Sequence, residues 1–266
     1  MKTFYYVHTG HRIGLDRFRR AVAILDTLDT EITLLSSDYR IAHIARDFGI
    51  KTSVGVDVVR NIPHIAENGD RLLFDSDEAN PLMLEDMKQY FSTFLHIPNN
   101  TIVVEEKFFQ AKEEEKSIPL SYFFGDDDYE KDLQKHSDFI LDLQPYLQLG
   151  FYYFLDYEDM LKQQFTHYFE FEEYDTMIMK SEVIITASPQ AVLDALAAGS
   201  KPIYVLREDY IHNLLEEFTI LNVPIVRNYD KNHLLEILKT INNRKYGTIE
   251  QNCNNFKSFI KDNLIL

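Results

Sequence analysis

Small polar side chains and one carboxylate stand close together in the stretch Glu182–Leu206, EVIITASPQAVLDALAAGSKPIYVL. Thr186 and Ser188 follow a short apolar, β-branched run, and Ser188 precedes a proline, which is typical of the N-cap and first position of a helix. Free backbone N–H groups at a helix start favour an anion such as a phosphate, and small side chains let it approach the backbone. Asp194, further along the same predicted helix, is either a solvated surface carboxylate or an acceptor for ribose hydroxyls. These residue types predict a site for phosphate and ribose.

The elements around these residues form a predicted βαβ unit. Small apolar residues recur at helical spacing after Ser188, and Gly199 suits the left-handed end of that helix. The two flanking apolar runs, Val183–Ile185 and Ile203–Leu206, predict strands buried on both faces of a parallel sheet. Ligands of such sheets bind beyond the carboxyl ends of the strands, so Ser188 is expected at the ligand-binding edge.

A second group of reactive side chains follows the first predicted strand, Thr3–Val7. His8 and His11 are candidate catalytic residues, because imidazole titrates near neutral pH and can accept a proton from water or a sugar hydroxyl. The alternative for both is hydrogen bonding within the loop. Gly14 and Arg17 open the next predicted helix, where Arg17 is a candidate for contacts to a phosphate or a sugar carboxylate. Its alternative is a solvated charge paired with nearby carboxylates.

The segment D-A-L-A-A-G-S-K-P, which begins at Asp194, resembles the donor-binding half of sugar-nucleotide enzymes with the GT-B fold. The resemblance extends to the peptidoglycan N-acetylglucosaminyl transferase and to the UDP-sugar hydrolase of pseudaminic acid synthesis. In those families the acidic residue of this helix holds the nucleotide ribose, and the preceding turn faces the diphosphate. The resemblance therefore implies that Asp194 binds ribose and that Thr186 and Ser188 lie beside the phosphates.

The segment Ile13–Arg20, I-G-L-D-R-F-R-R, resembles the opening Gly-x-Gly-His-x-x-Arg of the same families. Gly14 matches the first glycine, Asp16 replaces the second, and Arg17 stands in the place of the histidine. In the hydrolase that histidine is thought to activate water. Arginine stays protonated near neutral pH and cannot serve as a general base, so this role would pass to His8 or His11.

Alternating strands and helices predict an α/β protein with two Rossmann-like domains and parallel sheets, a GT-B-like arrangement. The expected domains are residues 1–116 and 117–250. The resemblance implies that a C-terminal helix, residues 251–266, returns to the first domain.

Four element predictions outside the βαβ unit are specific enough to test. They are two strands, Thr101–Val104 and Gly150–Leu155, and two helices, Pro81–Phe94 and Tyr210–Leu221.

Composition excludes several classes of function. The 266 residues carry a formal net charge of −16, which opposes nucleic-acid and anionic-membrane binding because both require a positive field. The single cysteine, Cys253, allows no disulfide framework and no cysteine-rich zinc site. No apolar stretch is long enough to span a membrane, and the N-terminus has no leader pattern, so we expect a cytoplasmic protein.

Two acidic runs need no ligand to account for them. Asp75–Glu78 lacks the spacing of a calcium loop and has no histidine partner, and Asp126–Asp128 would repel a diphosphate. Both are expected to form turns and helix caps. Helix N-termini and arginine can offset the charge of a leaving group, so we expect no metal ion and no cofactor.

Two classes of function remain open. The first is a sugar-nucleotide-binding enzyme, either a glycosyltransferase or a nucleotide-sugar hydrolase, which takes a UDP- or CMP-linked sugar. The second is a catalytically silent GT-B-like binding, regulatory or scaffold protein, which would act through a protein partner. Replacement of the loop histidine by Arg17 and the acidic turn at Asp126–Asp128 favour the second class.

Overall fold

The computed structural model describes residues 1–28, 31–210 and 212–264. The chain divides into two compact units, and each has its own parallel sheet. Unit 1 comprises Met1–Gly10, Arg17–Glu105 and Asn252–Leu266, and unit 2 comprises His11–Asp16 and Glu106–Gln251.

The strands in chain order are β1 (Thr3–Val7), β2 (Ile32–Ser36), β3 (Thr52–Gly55), β4 (Arg71–Asp75), β5 (Thr93–His96), β6 (Ile118–Phe123), β7 (Tyr146–Gln148), β8 (His167–Phe169), β9 (Ser181–Thr186), β10 (Lys201–Val205) and β11 (Ile225–Val226). The α-helices are α1 (Asp16–Leu25), α2 (Tyr39–Ile44), α3 (Pro81–Tyr90), α4 (Glu106–Gln110), α5 (Asp132–Lys135), α6 (Leu155–Gln164), α7 (Tyr174–Lys180), α8 (Pro189–Ala197), α9 (Leu215–Ile220), α10 (Lys231–Thr240) and α11 (Glu250–Leu264).

Unit 1 contains the sheet β3-β2-β1-β4-β5. Its pairs are all parallel, and the two central strands are in register so that Val7 pairs with Asp75. β1 and β4 therefore end level at one edge of the sheet. Their aromatic side chains Phe4, Tyr6 and Phe74 are buried in a single core, which explains the continuous apolar runs in the sequence. The strand order reverses between β1 and β4, where ligands bind in open sheets of this topology.

Unit 2 contains the sheet β11-β10-β9-β6-β7-β8, and its pairs are also parallel. The order reverses between β6 and β9, whose last residues, Phe123 and Thr186, pair with each other. Both sheets thus have the strand order of a Rossmann-like domain. The predicted fold class, two Rossmann-like units with parallel sheets, is confirmed.

The predicted strand Thr101–Val104 is wrong, because this segment is irregular. The edge position of the sheet belongs to β5, which includes the end of the predicted helix Pro81–Phe94. β5 pairs with β4, and that pairing outweighs the helical spacing of the sequence after Tyr90. Val103 and Val104 are buried although they belong to no strand, which accounts for an apolar run outside the sheet.

The predicted strand Gly150–Leu155 is also wrong, because β7 ends at Gln148 and a turn follows it. A side chain at Gly150 would meet the Gly125 carbonyl oxygen at 2.5 Å and the Asp126 Cα at 2.8 Å. Glycine at this position therefore permits the close approach of two loops at the carboxyl edge of the sheet.

Two helix predictions extend beyond the described residues. Within the predicted helix Tyr210–Leu221, α9 covers Leu215–Ile220, and Ile211 lies outside the described residues. The predicted terminal helix, residues 251–266, corresponds to α11, and its last two residues also lie outside them. Ile260 and Leu264 of α11 are buried, and the Arg71 guanidinium donates a hydrogen bond to the Leu264 carbonyl oxygen within unit 1.

A buried ion pair stabilises the ligand edge of unit 1. The Asp75 side chain is 0% exposed and accepts hydrogen bonds from the Tyr5 hydroxyl at 3.0 Å and from Arg20 Nε at 2.9 Å, with a further contact from Arg20 Nη2. Arg20 Nη1 donates to the Asn99 carbonyl oxygen at 3.1 Å. One guanidinium therefore connects α1, the end of β4 and the irregular segment after β5.

Replacement of Asp75 by alanine should be strongly destabilising, because it leaves the Arg20 guanidinium buried without its carboxylate. We expect a loss of about 3–5 kcal/mol in the free energy of unfolding, measured by urea denaturation. Glu236→Gln is the control, because Glu236 is 69% exposed in its pair with Lys239, and its loss should stay below about 1 kcal/mol. Equal losses in the two variants would contradict this role for the Asp75–Arg20 pair.

Candidate functional site

The ligand edge of unit 1 contains a histidine–carboxylate pair. His8 follows β1, and Glu78 follows β4. The distance from His8 Nδ1 to Glu78 Oε2 is 3.7 Å. The same Glu78 oxygen accepts hydrogen bonds from the Tyr6 hydroxyl at 2.5 Å and the Ser76 hydroxyl at 3.1 Å. His8 Nδ1 has no hydrogen-bond partner among the described residues. Glu78 is thus fixed in place, and a small shift of the imidazole would bring the two groups into hydrogen-bond distance.

Burial lowers the pKa of the His8 imidazole below its usual range, although the neighbouring Glu78 carboxylate acts in the opposite direction. The Arg17 guanidinium adds to the lowering. His8 is therefore neutral near pH 7, as a general base must be.

Arg17 also lies in unit 1, where carboxylates already engage it. It forms an ion pair with Asp77, its Nη2 donates to the Asn99 side-chain oxygen at 3.2 Å, and its Nε lies 3.7 Å from Asp75. A phosphate or a sugar carboxylate would share this guanidinium with Asp77. Within the described parts of the chain, no group of three or more His, Cys, Asp or Glu side chains is placed to hold a metal ion.

His11 belongs to unit 2, where a second carboxylate holds it. Its Nδ1 lies 3.2 Å from Asp127 Oδ1, and the backbone N–H of Arg12 donates to Asp127 Oδ2 at 2.8 Å. The His11 ring stacks against Phe154 with their centroids 5.5 Å apart. The alternative expected for His11 was a hydrogen bond within its own loop, whereas the contact found is to Asp127, 116 positions away along the chain. Nε2 is the other ring nitrogen of His11.

The start of α8 has the local structure that the sequence predicts. Ser188 is the N-cap, and its hydroxyl accepts the backbone N–H of Ala191 at 3.1 Å. The Thr186 hydroxyl accepts the backbone N–H of Ser188 at 3.0 Å, which shapes the turn between β9 and α8. Both side chains are buried. The two hydroxyls accept amides of the turn, and the Ala187 N–H donates to the Phe123 carbonyl oxygen at 3.1 Å, so a ligand here would have to compete with these hydrogen bonds.

The loop that contains Gly14 lies against the same turn within unit 2. Gly14 has a left-handed backbone conformation, φ +72°, which glycine adopts without strain. The Tyr210 hydroxyl donates to the Ile13 carbonyl oxygen at 3.0 Å and lies 3.1 Å from Asp16 Oδ2. Asp16 Oδ1 accepts a hydrogen bond from the Ser188 hydroxyl at 2.5 Å. A carboxylate of the chain itself thus stands beside the N-cap of α8.

Asp194 lies inside unit 2, with a relative exposure of 2%. It accepts hydrogen bonds from the Tyr174 hydroxyl at 2.8 Å and from Gln190 Nε2 at 2.9 Å. Of the two interpretations offered for Asp194, the solvated surface carboxylate is therefore wrong. Its role as a ribose acceptor stays a prediction, and a ribose hydroxyl would have to displace or share the Tyr174 contact.

Arg207, which the sequence analysis did not select, is a buried cation at the ligand edge of unit 2. It follows β10, is 3% exposed, and its guanidinium lies 4.3 Å from the centre of the Phe124 ring. Nη1 donates to the Asp127 carbonyl oxygen at 2.6 Å, and Nε and Nη2 bind the Asp209 carboxylate. In the sequence, Arg207 directly follows the predicted strand Ile203–Leu206, and this position could have identified it as a candidate residue.

The acidic turn Asp126–Asp128 is a structural part of this edge. Asp128 binds the first turn of α5, because its carboxylate accepts the backbone N–H groups of Asp132 and Leu133 at 2.7 and 3.1 Å. Burial raises the pKa of the Asp128 carboxyl, and hydrogen bonds from Tyr157 and these amides oppose that rise. Asp128 therefore binds the start of α5, although the N-cap residue is Lys131. The other acidic run, Asp75–Glu78, does not cap α3, whose N-cap is Asn80, and its Glu78 has a histidine neighbour in His8.

The candidate residues fall into two groups. His8 and Arg17 lie in unit 1, whereas His11, Gly14, Thr186, Ser188 and Asp194 lie in unit 2. Within unit 2, hydrogen bonds join the Gly14 loop to Ser188 through Asp16, and Asp194 lies in the helix that Ser188 caps.

No protein-family model matches the chain. No curated protein matches its sequence either. Among solved structures, the fold is similar to the UDP-GlcNAc 2-epimerase of Methanocaldococcus jannaschii in complex with UDP-GlcNAc and UDP, at 12% identity and a TM-score of 0.54, over 98% of this chain and 99% of that one.

Two transferases show the same similarity. The Escherichia coli heptosyltransferase WaaC with ADP has 9% identity and a TM-score of 0.52, over 91% of this chain and 98% of that one. A glycosyltransferase from Rickettsia africae has 11% identity and a TM-score of 0.54, over 99% of this chain and 98% of that one. At these identities the comparisons establish the fold, and the GT-B-like class expected from the sequence is confirmed. The finer resemblance to the peptidoglycan transferase and the pseudaminic-pathway hydrolase stays a prediction.

The lowered pKa of His8 predicts a pH effect on stability. The unfolded chain protonates this residue near its ordinary value of about 6.5, whereas the folded protein does so at lower pH. Stability is thus retained above about pH 6.5 and falls as the pH drops below it. In urea denaturation the wild type should lose more stability between about pH 7.5 and 5.5 than His8→Gln does. Equal losses of stability in the wild type and in His8→Gln would contradict the lowering of the His8 pKa by burial.

The hydrogen bonds of Asp194 predict a structural cost when they are removed. Asp194→Ala leaves the Tyr174 hydroxyl and the Gln190 amide without their buried acceptor, which should lower the free energy of unfolding by about 1–3 kcal/mol. Asp175→Ala is the control in the same unit, because Asp175 is partly exposed in its pair with Lys107 and should change stability by less than about 1 kcal/mol. A small change in both variants would contradict the structural role of these two hydrogen bonds.

Proposed function

We propose that this protein is a sugar-nucleotide-binding enzyme, a glycosyltransferase or a nucleotide-sugar hydrolase, that acts without a metal ion. The observation that carries the proposal is the position of the α8 N-terminus at the reversal of strand order between β6 and β9. The partial positive charge of a helix start at that point favours a phosphate, although the N–H groups of Ser188 and Ala191 donate within the turn. Structures of similar fold were solved with UDP-GlcNAc and UDP, and with ADP, which supports a nucleotide ligand.

Unit 2 would hold the nucleotide. The positive end of α8 would face the diphosphate, and a phosphate oxygen would compete with Thr186 and Ser188 for the amides that they now accept. Asp194 would accept ribose hydroxyls in exchange for its hydrogen bond from Tyr174. Gly14 has no side chain, so its loop would leave room for a diphosphate at this edge. We propose a UDP- or CMP-linked sugar as the donor.

His8 of unit 1 is a candidate base. It is neutral near pH 7, stands at the carboxyl end of β1, and has Glu78 beside it to stabilise the imidazolium that forms. In the transfer step the base takes a proton from a hydroxyl or water, a bond forms from that oxygen to the anomeric carbon, and the bond from this carbon to the phosphate breaks, so that the nucleoside diphosphate leaves. Arg17 is a candidate for contact with a phosphate or an acidic sugar.

His11 is the second candidate base. Asp127 holds its Nδ1, which leaves Nε2 as the nitrogen that accepts a proton. The two histidines are distinguished by the variants His8→Gln and His11→Gln. Loss of the base should lower turnover by about 10²–10⁴-fold in one variant, with the nucleotide affinity unchanged.

A catalytically silent binding, regulatory or scaffold protein is the second candidate function. It is favoured by Arg17, which stands in the place of the catalytic histidine of the hydrolase, and by the ion pair that already engages its guanidinium. Such a protein would bind the nucleotide and leave the sugar intact, or would act through a protein partner.

Calorimetric titration with UDP, CMP, GDP and ADP, followed by product analysis with the sugar conjugates, separates these functions. The proposal predicts that one nucleotide binds below about millimolar concentration and at least about tenfold more tightly than its nucleoside, because the phosphates contribute. Release of that nucleotide from its conjugate, with an acceptor or with water, would establish an enzyme. Binding without release supports the silent protein, and no binding at about millimolar concentration contradicts the proposed function.

A further inference from the structure

A concavity of about 590 Å³ lies in unit 1, away from its ligand edge. The end of α2, the turn that follows it and the first residues of β3 form its wall. β3 begins at Thr52, so this wall stands at the amino end of the strand, whereas the ligand edge stands at the carboxyl ends. Small-molecule sites usually have volumes of roughly 300–1,000 Å³, so the concavity has the size of a ligand site.

Three basic side chains line this concavity. They are His43 in α2, Arg46 in the turn and Lys51 directly before β3. The turn is tight because Gly49 ends it in the left-handed conformation, with φ +80°, which glycine adopts without strain. The turn therefore brings Lys51 to the same concavity that Arg46 lines.

The basic groups of the concavity have no internal counter-charge. Among the residues that the structure describes, no carboxylate forms an ion pair with His43, Arg46 or Lys51, and no side-chain hydrogen bond engages them. By contrast, the guanidinium groups of Arg20 and Arg40 in the same unit each bind an aspartate. Two cations that line a concavity without a partner favour an anion from solution, even in a chain whose net charge is −16.

The other lining residues define the kind of anion that fits. Arg46 presents a planar fork of donors and Lys51 a compact charge, and both suit a phosphate. The Asp47 carboxylate also lines the concavity, where it can accept hydrogen bonds from ligand hydroxyls but would repel a second anionic group. The Thr52 hydroxyl adds a further polar contact, and Ile50, which is 6% exposed, adds apolar surface. This combination favours one phosphate on a neutral, hydroxylated body.

We propose that this concavity binds a phosphate monoester of a small hydroxylated molecule, such as a sugar phosphate. Arg46 and Lys51 bind the phosphate, and a ring N–H of His43 is a further donor to it. Asp47 accepts hydroxyl groups of the body. The site shares no residue with the proposed nucleotide site and does not depend on the proposed function.

Glucose 6-phosphate is the probe, and calorimetry measures its dissociation constant with the full chain. We expect a dissociation constant below about 1 mM for the wild type. Arg46→Gln and Lys51→Gln should each bind at least about tenfold more weakly, because each removes a charge-assisted contact to the phosphate. Lys88→Gln makes the same charge change in unit 1 at a side chain that is 58% exposed and lies outside the concavity, and it should leave the affinity unchanged.

Glucose itself should bind at least about tenfold more weakly than its 6-phosphate, because it lacks the charged group. The inference is overturned by equal binding of glucose, by equal affinity of the wild type, Arg46→Gln and Lys51→Gln, or by no binding of glucose 6-phosphate at about millimolar concentration. Circular dichroism and thermal unfolding establish that each variant is folded.

Hydrogen–deuterium exchange locates the bound probe. Glucose 6-phosphate should slow exchange in peptides that cover residues 42–53. Slower exchange confined to residues 124–128 and 186–191 would place the phosphate at the ligand edge of unit 2 and would overturn the inference. A titration with UDP separates the two proposals, because Arg46→Gln should bind UDP as the wild type does. If glucose 6-phosphate binds as expected and no nucleotide binds, the inference stands and the proposed function fails.

Discussion

Parallel pairing between strands far apart in the sequence determines where chemistry can take place in this chain. Val7 pairs with Asp75 and Phe123 pairs with Thr186, so the central strands of each sheet end level with each other. The residues that follow these strands are brought to one edge in each unit, although more than sixty positions separate them along the chain. The first pairing brings His8 beside Glu78, and the second places Asp126–Asp128 at the same sheet edge as Ser188.

Charge is the second constraint, since the chain carries a formal net charge of −16 and still places carboxylates at both ligand edges. Each of these carboxylates has a defined partner. Arg20 pairs with Asp75, backbone amides of α5 bind Asp128, and the Ser188 hydroxyl binds Asp16. A phosphate near the turn before α8 would therefore meet the Asp16 carboxylate, which the Ser188 and Tyr210 hydroxyls contact.

The sequence predicted the βαβ unit around Ser188 well, because its signals are local: a cap, a proline, a helical repeat and a glycine. β5 was missed because its position depends on pairing with β4, and the segment Thr101–Val104 is apolar through burial alone. The environment of Asp194 depends on Tyr174, which lies twenty positions away on another helix. Arg207 stands among ordinary charged residues in the sequence, and its burial comes from contacts with Phe124 and the Asp127 carbonyl oxygen, which follow β6. Distances of this kind are properties of the fold and have no local sequence signal.

The central claim is that the start of α8 binds the phosphate end of a nucleotide. Hydrogen–deuterium exchange of the full chain, with and without saturating UDP, tests it most directly, because exchange reports on individual backbone amides without requiring turnover. The account predicts slower exchange in the peptides that cover residues 186–191 and 124–128, and little change in the exposed helix α10. Unchanged exchange in both peptides, while UDP slows exchange elsewhere or nowhere, would contradict the account.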